Sequence, residues 1–265
     1  MALAGRLKAL EKATAKRRTD PRALAALARD RASVLALARM EPDPWQRDLL
    51  RAKPHRGVVL CSRQSGKSLT AAADCLHTAL TEPDSLTLIL SPTLRQSQEL
   101  FRKCLALWRA LGKPVGAESV SKTALELANG ARVVACPGDP DGLVGFSNPA
   151  LVVIDEAARA PDELYFAVRP MLALGGRMLL ASTPFGPRGF FFTEWSEGGD
   201  LWHRVRVTAD ECPRIAPVFL EDERRALGPK WFAQEYECSF ESSAGAVFDH
   251  ADILAACRVP SWLAA

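Results

Sequence analysis

Apolar residues in this chain fall into short continuous runs, each followed by a longer stretch in which they recur at helical spacing. Gly57–Cys61, Leu86–Leu90, Val133–Cys136, Leu151–Ile154 and Met178–Ala181 are such runs. They are rich in Val, Ile and Leu and lack polar alternation, which predicts strands buried on both faces. Segments 67–80, 96–111 and 161–174 between them are predicted helices. Strands that alternate with helices in this way predict an α/β fold, a three-layer sandwich with a mainly parallel sheet.

The two ends depart from that rhythm. Residues 21–39 read as one helix, opened by Pro21 after the capping residue Asp20, with an apolar stripe broken by Arg31. Two prolines in the stretch 41–46 close that element and open another. Beyond Leu201 one strand is expected over His203–Val207, then two charged helices over 217–227 and 230–237.

The composition, 48% hydrophobic and 25% charged over 265 residues, is that of an ordinary globular protein able to bury a large core. No apolar run approaches the roughly 20 residues that span a bilayer, and the first residues lack the apolar stretch of a signal peptide. No membrane partner is expected. The seven cysteines contain no C-x-x-C pair, and the four histidines lie far apart, so reduced thiols are expected and no zinc site. The net charge of +3 is unevenly placed: residues 1–40 carry ten Lys and Arg against three acids. That basic arm is either a nucleic-acid or partner contact or a solvated helix.

The chemistry-bearing residues sit at strand ends. Cys61-Ser62-Arg63-Gln64-Ser65-Gly66-Lys67-Ser68 follows a predicted strand and opens a predicted helix, the setting of a phosphate-binding loop. Backbone N–H groups of Ser62 to Gly66 and the helix N-terminus would surround a phosphate. Lys67 would reach the β- and γ-phosphates of a nucleotide, and the Ser68 hydroxyl would ligate Mg²⁺. Cys61 stands where the general pattern has glycine. The apolar strand Leu151–Ile154 runs into Asp155 and Glu156, a costly placement unless the acids meet a cation or a proton. Asp155 would hold the Mg²⁺ shell, and Glu156 would orient and deprotonate the attacking water. A third strand ends in Ser182-Thr183-Pro184, hydroxyls suited to sensing the γ-phosphate. About twenty residues before the loop, Gln46 offers an amide that could pair with adenine, or else belongs to a helix start with Trp45 in the core.

These residues resemble the large terminase family of tailed phages. The resemblance rests on Pro44-Trp45-Gln46, SRQSGKS at 62–68, LSPTLRQSQELF at 90–101, LVVIDEAA at 151–158, ASTPFGPRGFFF at 181–192 and the segment 212–240, and covers roughly 41–250. It implies a P-loop NTPase fold of the additional-strand, catalytic-glutamate type. It also implies ATP and Mg²⁺, double-stranded DNA as the moved substrate, a homo-oligomeric ring, and portal and small-terminase partners in the host cytoplasm. The implied division is a basic helical extension over 1–40, an ATPase core over 41–210 and a helical subdomain with a linker over 211–265.

Two departures from the family pattern carry expectations. The chain ends at Ala265, where the family's nuclease domain would begin, so no nuclease activity is expected, and Asp249 and Asp252 are not read as a nuclease site. The family commonly has Arg-Gly-Phe before the acidic strand, an arginine proposed to act on a neighbour's ATP, whereas this chain has Val144-Gly145-Phe146. Arg63 is the best-placed replacement, ahead of Arg159 and Arg188. The expectation is intact ATP binding with weak turnover. The rival readings are a non-catalytic prophage remnant and one domain of a superfamily-2 helicase.

Overall fold

The computed structural model describes residues 20–241. The greater part of the basic arm, Asp249 and Asp252 lie outside them.

The chain forms α1 (Pro21–Arg29), α2 (Ser33–Leu37), α3 (Pro44–Ala52), β1 (Arg56–Cys61), α4 (Lys67–Thr81), β2 (Leu86–Ser91) and α5 (Leu94–Ala110). There follow β3 (Ala117–Val120), β4 (Ala124–Leu127), β5 (Arg132–Pro137), β6 (Leu151–Asp155), α6 (Asp162–Met171), β7 (Arg177–Ser182), α7 (Gly189–Ser196), β8 (His203–Val207) and α8 (Pro217–Tyr236). One eight-stranded sheet has the order β3-β4-β5-β2-β6-β7-β1-β8. The pairs from β5 across to β8 are parallel, and β3 and β4 add antiparallel strands at one edge.

The continuous apolar runs are explained by two cores, one on each face of the sheet. Val59, Cys61, Ile89, Val153 and Ala181 face α4 and α5, with Leu27, Val34 and Leu35 of the N-terminal helices in the same cluster. Val58, Leu60, Leu88, Val152, Ile154 and Leu180 face the other way, against Leu164 and Val168 of α6 and Phe190 of α7. Successive strand residues point to opposite faces, so both must be apolar when both faces are covered. The expected three-layer sandwich is what forms.

Three elements differ from the sequence expectation or sharpen it. The helix expected over 21–39 is two helices broken at Asp30 and Arg31. Asp30 accepts from Ala32 N at 3.0 Å and pairs with Arg51, while Arg31 turns inward to the Asp74 carboxylate. The β3–β4 hairpin had no sequence signal, because β3 reads Ala-Glu-Ser-Val and is largely exposed. The two charged helices near the C-terminus are joined in α8, with a break at Gly228 (φ 74°, ψ 169°) just ahead of Pro229. Only glycine adopts that conformation readily.

Candidate nucleotide site

The carboxyl ends of β1, β6 and β7 lie side by side, and all the chemistry-bearing motifs meet there. β7 lies between β1, which carries the phosphate loop, and β6, which carries the acids. An extra strand between those two is the defining feature of the additional-strand architecture.

The loop is built on backbone conformations that side chains resist. Gln64 (φ 58°) and Gly66 (φ 99°) are left-handed, and a Cβ on Gly66 would lie 2.6 Å from Gln46 Nε2. Ser65 Oγ donates to Ser62 O across the loop at 2.9 Å. Ser62 N donates to Val207 O of β8 and Arg63 N to Glu235 O of α8. The N–H groups of Lys67 and Ser68, in the first turn of α4, have no acceptor within the helix and suit an anion. Cys61 fits because its thiol is buried and neutral: burial pushes its pKa up to about 12, against a smaller opposing pull from Ser65.

Lys67 Nζ donates to Glu156 Oε1 at 2.6 Å, and Ser68 Oγ donates to Asp155 Oδ2 at 3.0 Å. Burial acts to lower the Lys67 pKa, but Asp155 and Glu156 outweigh it and hold the ammonium above its ordinary value. Asp155 is shifted upward, first by burial and then by Glu156, against the pull of Lys67. Its Oδ1 is buried with no hydrogen-bond partner. Glu156 itself is left-handed (φ 56°, ψ 38°), a strained conformation for a residue with a side chain. The turn that follows is pinned by Ala158 N donating to Ser182 Oγ at 3.1 Å. Ser182 and Thr183 are both buried at the end of β7.

The other expected site residues take more structural positions. Gln46 is 2% exposed. Its Oε1 accepts from Asp43 N at 2.9 Å in a capping box, and its Nε2 donates to Gly66 O at 3.4 Å. The amide thus braces the phosphate loop from behind. Arg63 points from the loop to Glu235 of α8, its Nε donating to the carboxylate Oε2. Arg188 lies over the Phe185 ring at 4.7 Å, and Val144 is 83% exposed beside a short 3₁₀ turn.

Two partners give no signal in the sequence. Arg214 donates to both oxygens of Asp43 and, at 3.0 Å, to Ser65 O. Glu235, 4% exposed, receives Arg63 on one oxygen and lies 3.6 Å from Arg159 on the other. Both act across more than 70 residues of chain, and no local pattern announces such pairs.

Fold and site together define a P-loop NTPase fold of the additional-strand, catalytic-glutamate class. A family model described as "Terminase large subunit, T4likevirus-type, N-terminal" matches residues 58–255, and the chain belongs to that family. The large terminase subunit of Escherichia phage T5 is 30% identical over 206 residues, 74% of this chain and 46% of that protein. That of Thermus virus P23-45 is 27% identical over 269 residues, 82% of this chain and 55% of that protein. The chain therefore spans about half the length of the curated relatives it matches. The Thermus phage P74-26 large terminase ATPase domain superposes with a TM-score of 0.68 at 22% identity, covering 78% of this chain and 96% of that one. The HK97 bacteriophage large terminase gives 0.57 at 17% identity, covering 88% and 52%. At those identities the likeness establishes the fold.

Proposed function

We propose that this chain is a Mg²⁺-dependent ATPase, the motor half of a DNA-packaging terminase. The observation that carries the reading is the convergence of Lys67, Ser68, Asp155 and Glu156 at one strand-end cleft. The buried, unpartnered Asp155 Oδ1 beside the Ser68 hydroxyl suits a hard cation bound by oxygen. Ser68 and Asp155 would hold Mg²⁺, and the ion would neutralise charge on the β- and γ-phosphates.

Gln64, Ser65 and Gly66 would present backbone N–H groups to the phosphates, with Lys67 as the mobile charge; the N–H groups of Ser62 and Arg63, expected in the same role, instead donate to Val207 O and Glu235 O. Glu156 would orient the attacking water and take its proton. Ser182, tied to the Glu156 turn through Ala158 N, and its neighbour Thr183 would report the γ-phosphate to β7. Gln46 would reach adenine only by surrendering a present hydrogen bond or using its second lone pair and hydrogen; its support of Gly66 is the better founded role. A solved large terminase from a thermophilic bacteriophage holds ADP, which supports a nucleotide as the ligand here.

Family membership supports double-stranded DNA as the translocated substrate, with a ring of copies, a portal protein and a small terminase subunit as partners in the host cytoplasm. Among the described residues no helix is long and apolar enough to cross a membrane. We assign no nuclease activity to them. Residues 41–210 would form the ATPase core, with the basic extension of 1–40 before it and the helical subdomain beginning at 211; 1–19 and 242–265 of those divisions lie outside the described residues.

Steady-state ATP hydrolysis with Mg²⁺, with and without duplex DNA, tests the reading against the Glu156→Gln variant. Turnover that is lost in the variant and stimulated by DNA is expected. Turnover that persists in the variant would remove Glu156 as the base. Nucleotide binding without any turnover would favour a remnant that has kept the site and lost the reaction.

A further inference from the structure

We infer that Arg159 is a positioning residue that takes over Glu156 when nucleotide claims Lys67. The inference rests on the nucleotide-site reading above and extends it to a residue outside the phosphate loop.

Glu156 is placed between two cations. Its Oε1 accepts from Lys67 Nζ at 2.6 Å, and its Oε2 lies 3.9 Å from Arg159 Nε. The two cations differ in what else holds them. Lys67 projects from the first turn of α4 into the cleft, where a polyphosphate would compete for it. Arg159 is held by three further contacts that do not involve the cleft's cation-binding face. Its guanidinium lies 4.0 Å from the centre of the Phe185 ring, its Nη2 is 3.6 Å from Glu235 Oε1, and its backbone N–H donates to Glu156 O at 2.9 Å. Phe185 follows the Ser182-Thr183-Pro184 motif, and Arg188 covers it as well.

That arrangement has a consequence when phosphate arrives. Lys67 turns to the phosphates, and Glu156 loses its short ion pair just as a cluster of negative charge appears nearby. Like charges then push the carboxylate away from the cleft. The left-handed backbone at Glu156 and the Ala158–Ser182 hydrogen bond keep the main chain from following. Arg159 is the cation already at the second carboxylate oxygen. By closing from 3.9 Å to hydrogen-bonding distance it would hold Glu156 facing the site where water must be activated. Because Arg159 also touches Phe185 and Glu235, Glu156, the loop after β7 and α8 would share this one guanidinium.

In this exchange Arg159 acts on nucleotide affinity through Glu156, and a double-mutant cycle separates that dependence from its contacts with Glu235 and Phe185. ATP-γ-S with Mg²⁺ is titrated calorimetrically into the wild-type chain, Arg159→Ala, Arg159→Lys, Glu156→Gln and the Arg159→Ala/Glu156→Gln double variant. Thermal unfolding of each is recorded, and Lys67→Ala serves as the control for the site itself. Arg159→Ala is expected to weaken binding about fivefold, the scale of a partly exposed ion pair. Arg159→Lys should recover most of the loss, and in the Glu156→Gln background the effect of Arg159→Ala should fall within about twofold. Equal loss in both backgrounds, or none in either, overturns the inference. Should Arg159→Ala fail to fold, Arg159→Lys and Arg159→Gln, compared in both backgrounds, decide between the same two outcomes. A wild-type chain that binds no ATP-γ-S, or a Lys67→Ala variant that binds it equally well, overturns the nucleotide-site reading itself.

Discussion

Lys67 Nζ lies 2.6 Å from Glu156 Oε1, so the cation that would meet phosphate and the carboxylate that would activate water neutralise each other across the cleft. The pair is mostly buried, with 13% and 22% of the two side chains exposed, and it is a charge-assisted hydrogen bond. On the proposed reading, nucleotide would have to break it to reach Lys67.

Glu156→Gln should therefore separate binding from turnover in opposite directions. A neutral amide competes less well for Lys67, and ATP-γ-S affinity should rise by about threefold to tenfold. Hydrolysis should fall by about a hundredfold or more with the base removed. Calorimetric titration and steady-state turnover on the same preparation check both. A variant that binds more weakly than the wild type would show that the pair assists binding.

Gly66→Ala tests the loop geometry. The φ of 99° is left-handed, and the added Cβ would lie 2.6 Å from Gln46 Nε2. Relief requires Gln46 to leave its hydrogen bond to Gly66 O and loosen the capping box with Asp43. Nucleotide affinity should drop by at least about tenfold, on the order of the 1–3 kcal/mol such backbone strain costs. Unchanged affinity would show that the loop is remade on binding.

The strands that carry this site were legible because both faces of the sheet are covered, which forces unbroken apolar runs such as Leu151–Ile154. The motifs were legible because Lys67 and Ser68 open the helix that follows β1, and Asp155 and Glu156 stand at the end of β6 ahead of a turn. What holds them was not legible. Arg214 reaches Asp43 and Ser65 from 171 and 149 residues away, and Glu235 reaches Arg63 from 172. Pairing over such separations leaves no periodicity to read. The break at Asp30 likewise follows from the distant Asp74, which draws Arg31 inward.

Asp74 is the hub of a buried ion cluster, with Arg177 Nη1 at 3.1 Å, Arg177 Nη2 at 2.9 Å, and Arg31 on the same carboxylate. Burial raises its pKa, but Arg177 and Arg31 outweigh that, and the net shift is downward. Asp74→Ala leaves two guanidinium groups without their anion and should destabilise the chain by about 3–5 kcal/mol, read from urea unfolding. A loss below about 1 kcal/mol would mean that water enters and solvates the arginines.

Acid should act first on His77. Its ring is buried on α4, Nε2 hydrogen-bonds to Leu27 O at 2.9 Å, and its pKa is lowered to about 4, first by burial and then by Arg31. Asp74 and Glu82 pull the other way but do not prevail. The folded pKa lies below the unfolded one, so the unfolded chain binds more protons between them. Stability is full above about pH 6.5 and is lost as pH falls toward about 4, at about 1.4 kcal/mol per unit. Asp74, with its lowered pKa, adds its own loss only below about 3.8. Urea unfolding at pH 7 and pH 5 should differ by about 2 kcal/mol more in the wild type than in His77→Gln. Equal differences in the two proteins would assign the acid sensitivity elsewhere.

Val144 is the position at which an added charge should change the reaction with little effect on the fold. It is 83% exposed just past a 3₁₀ turn, with φ −60° and ψ 127°, so an arginine there meets neither a packed core nor backbone strain. Its stability effect should stay within about 0.5 kcal/mol. The described arginines nearest the cleft are already engaged: Arg63 with Glu235, and Arg159 with Glu235, Glu156 and Phe185. Neither is free to serve a neighbouring copy without breaking those contacts. Val144→Arg should raise ATP turnover by at least about tenfold where chains associate, toward the larger factors an arginine finger supplies. It should leave dilute, monomeric turnover unchanged, because the guanidinium acts on the neighbour's nucleotide. Turnover measured against chain concentration distinguishes the two regimes. A rise that is independent of concentration would place the new charge in its own site, and no rise at any concentration would show that the missing arginine does not limit the reaction.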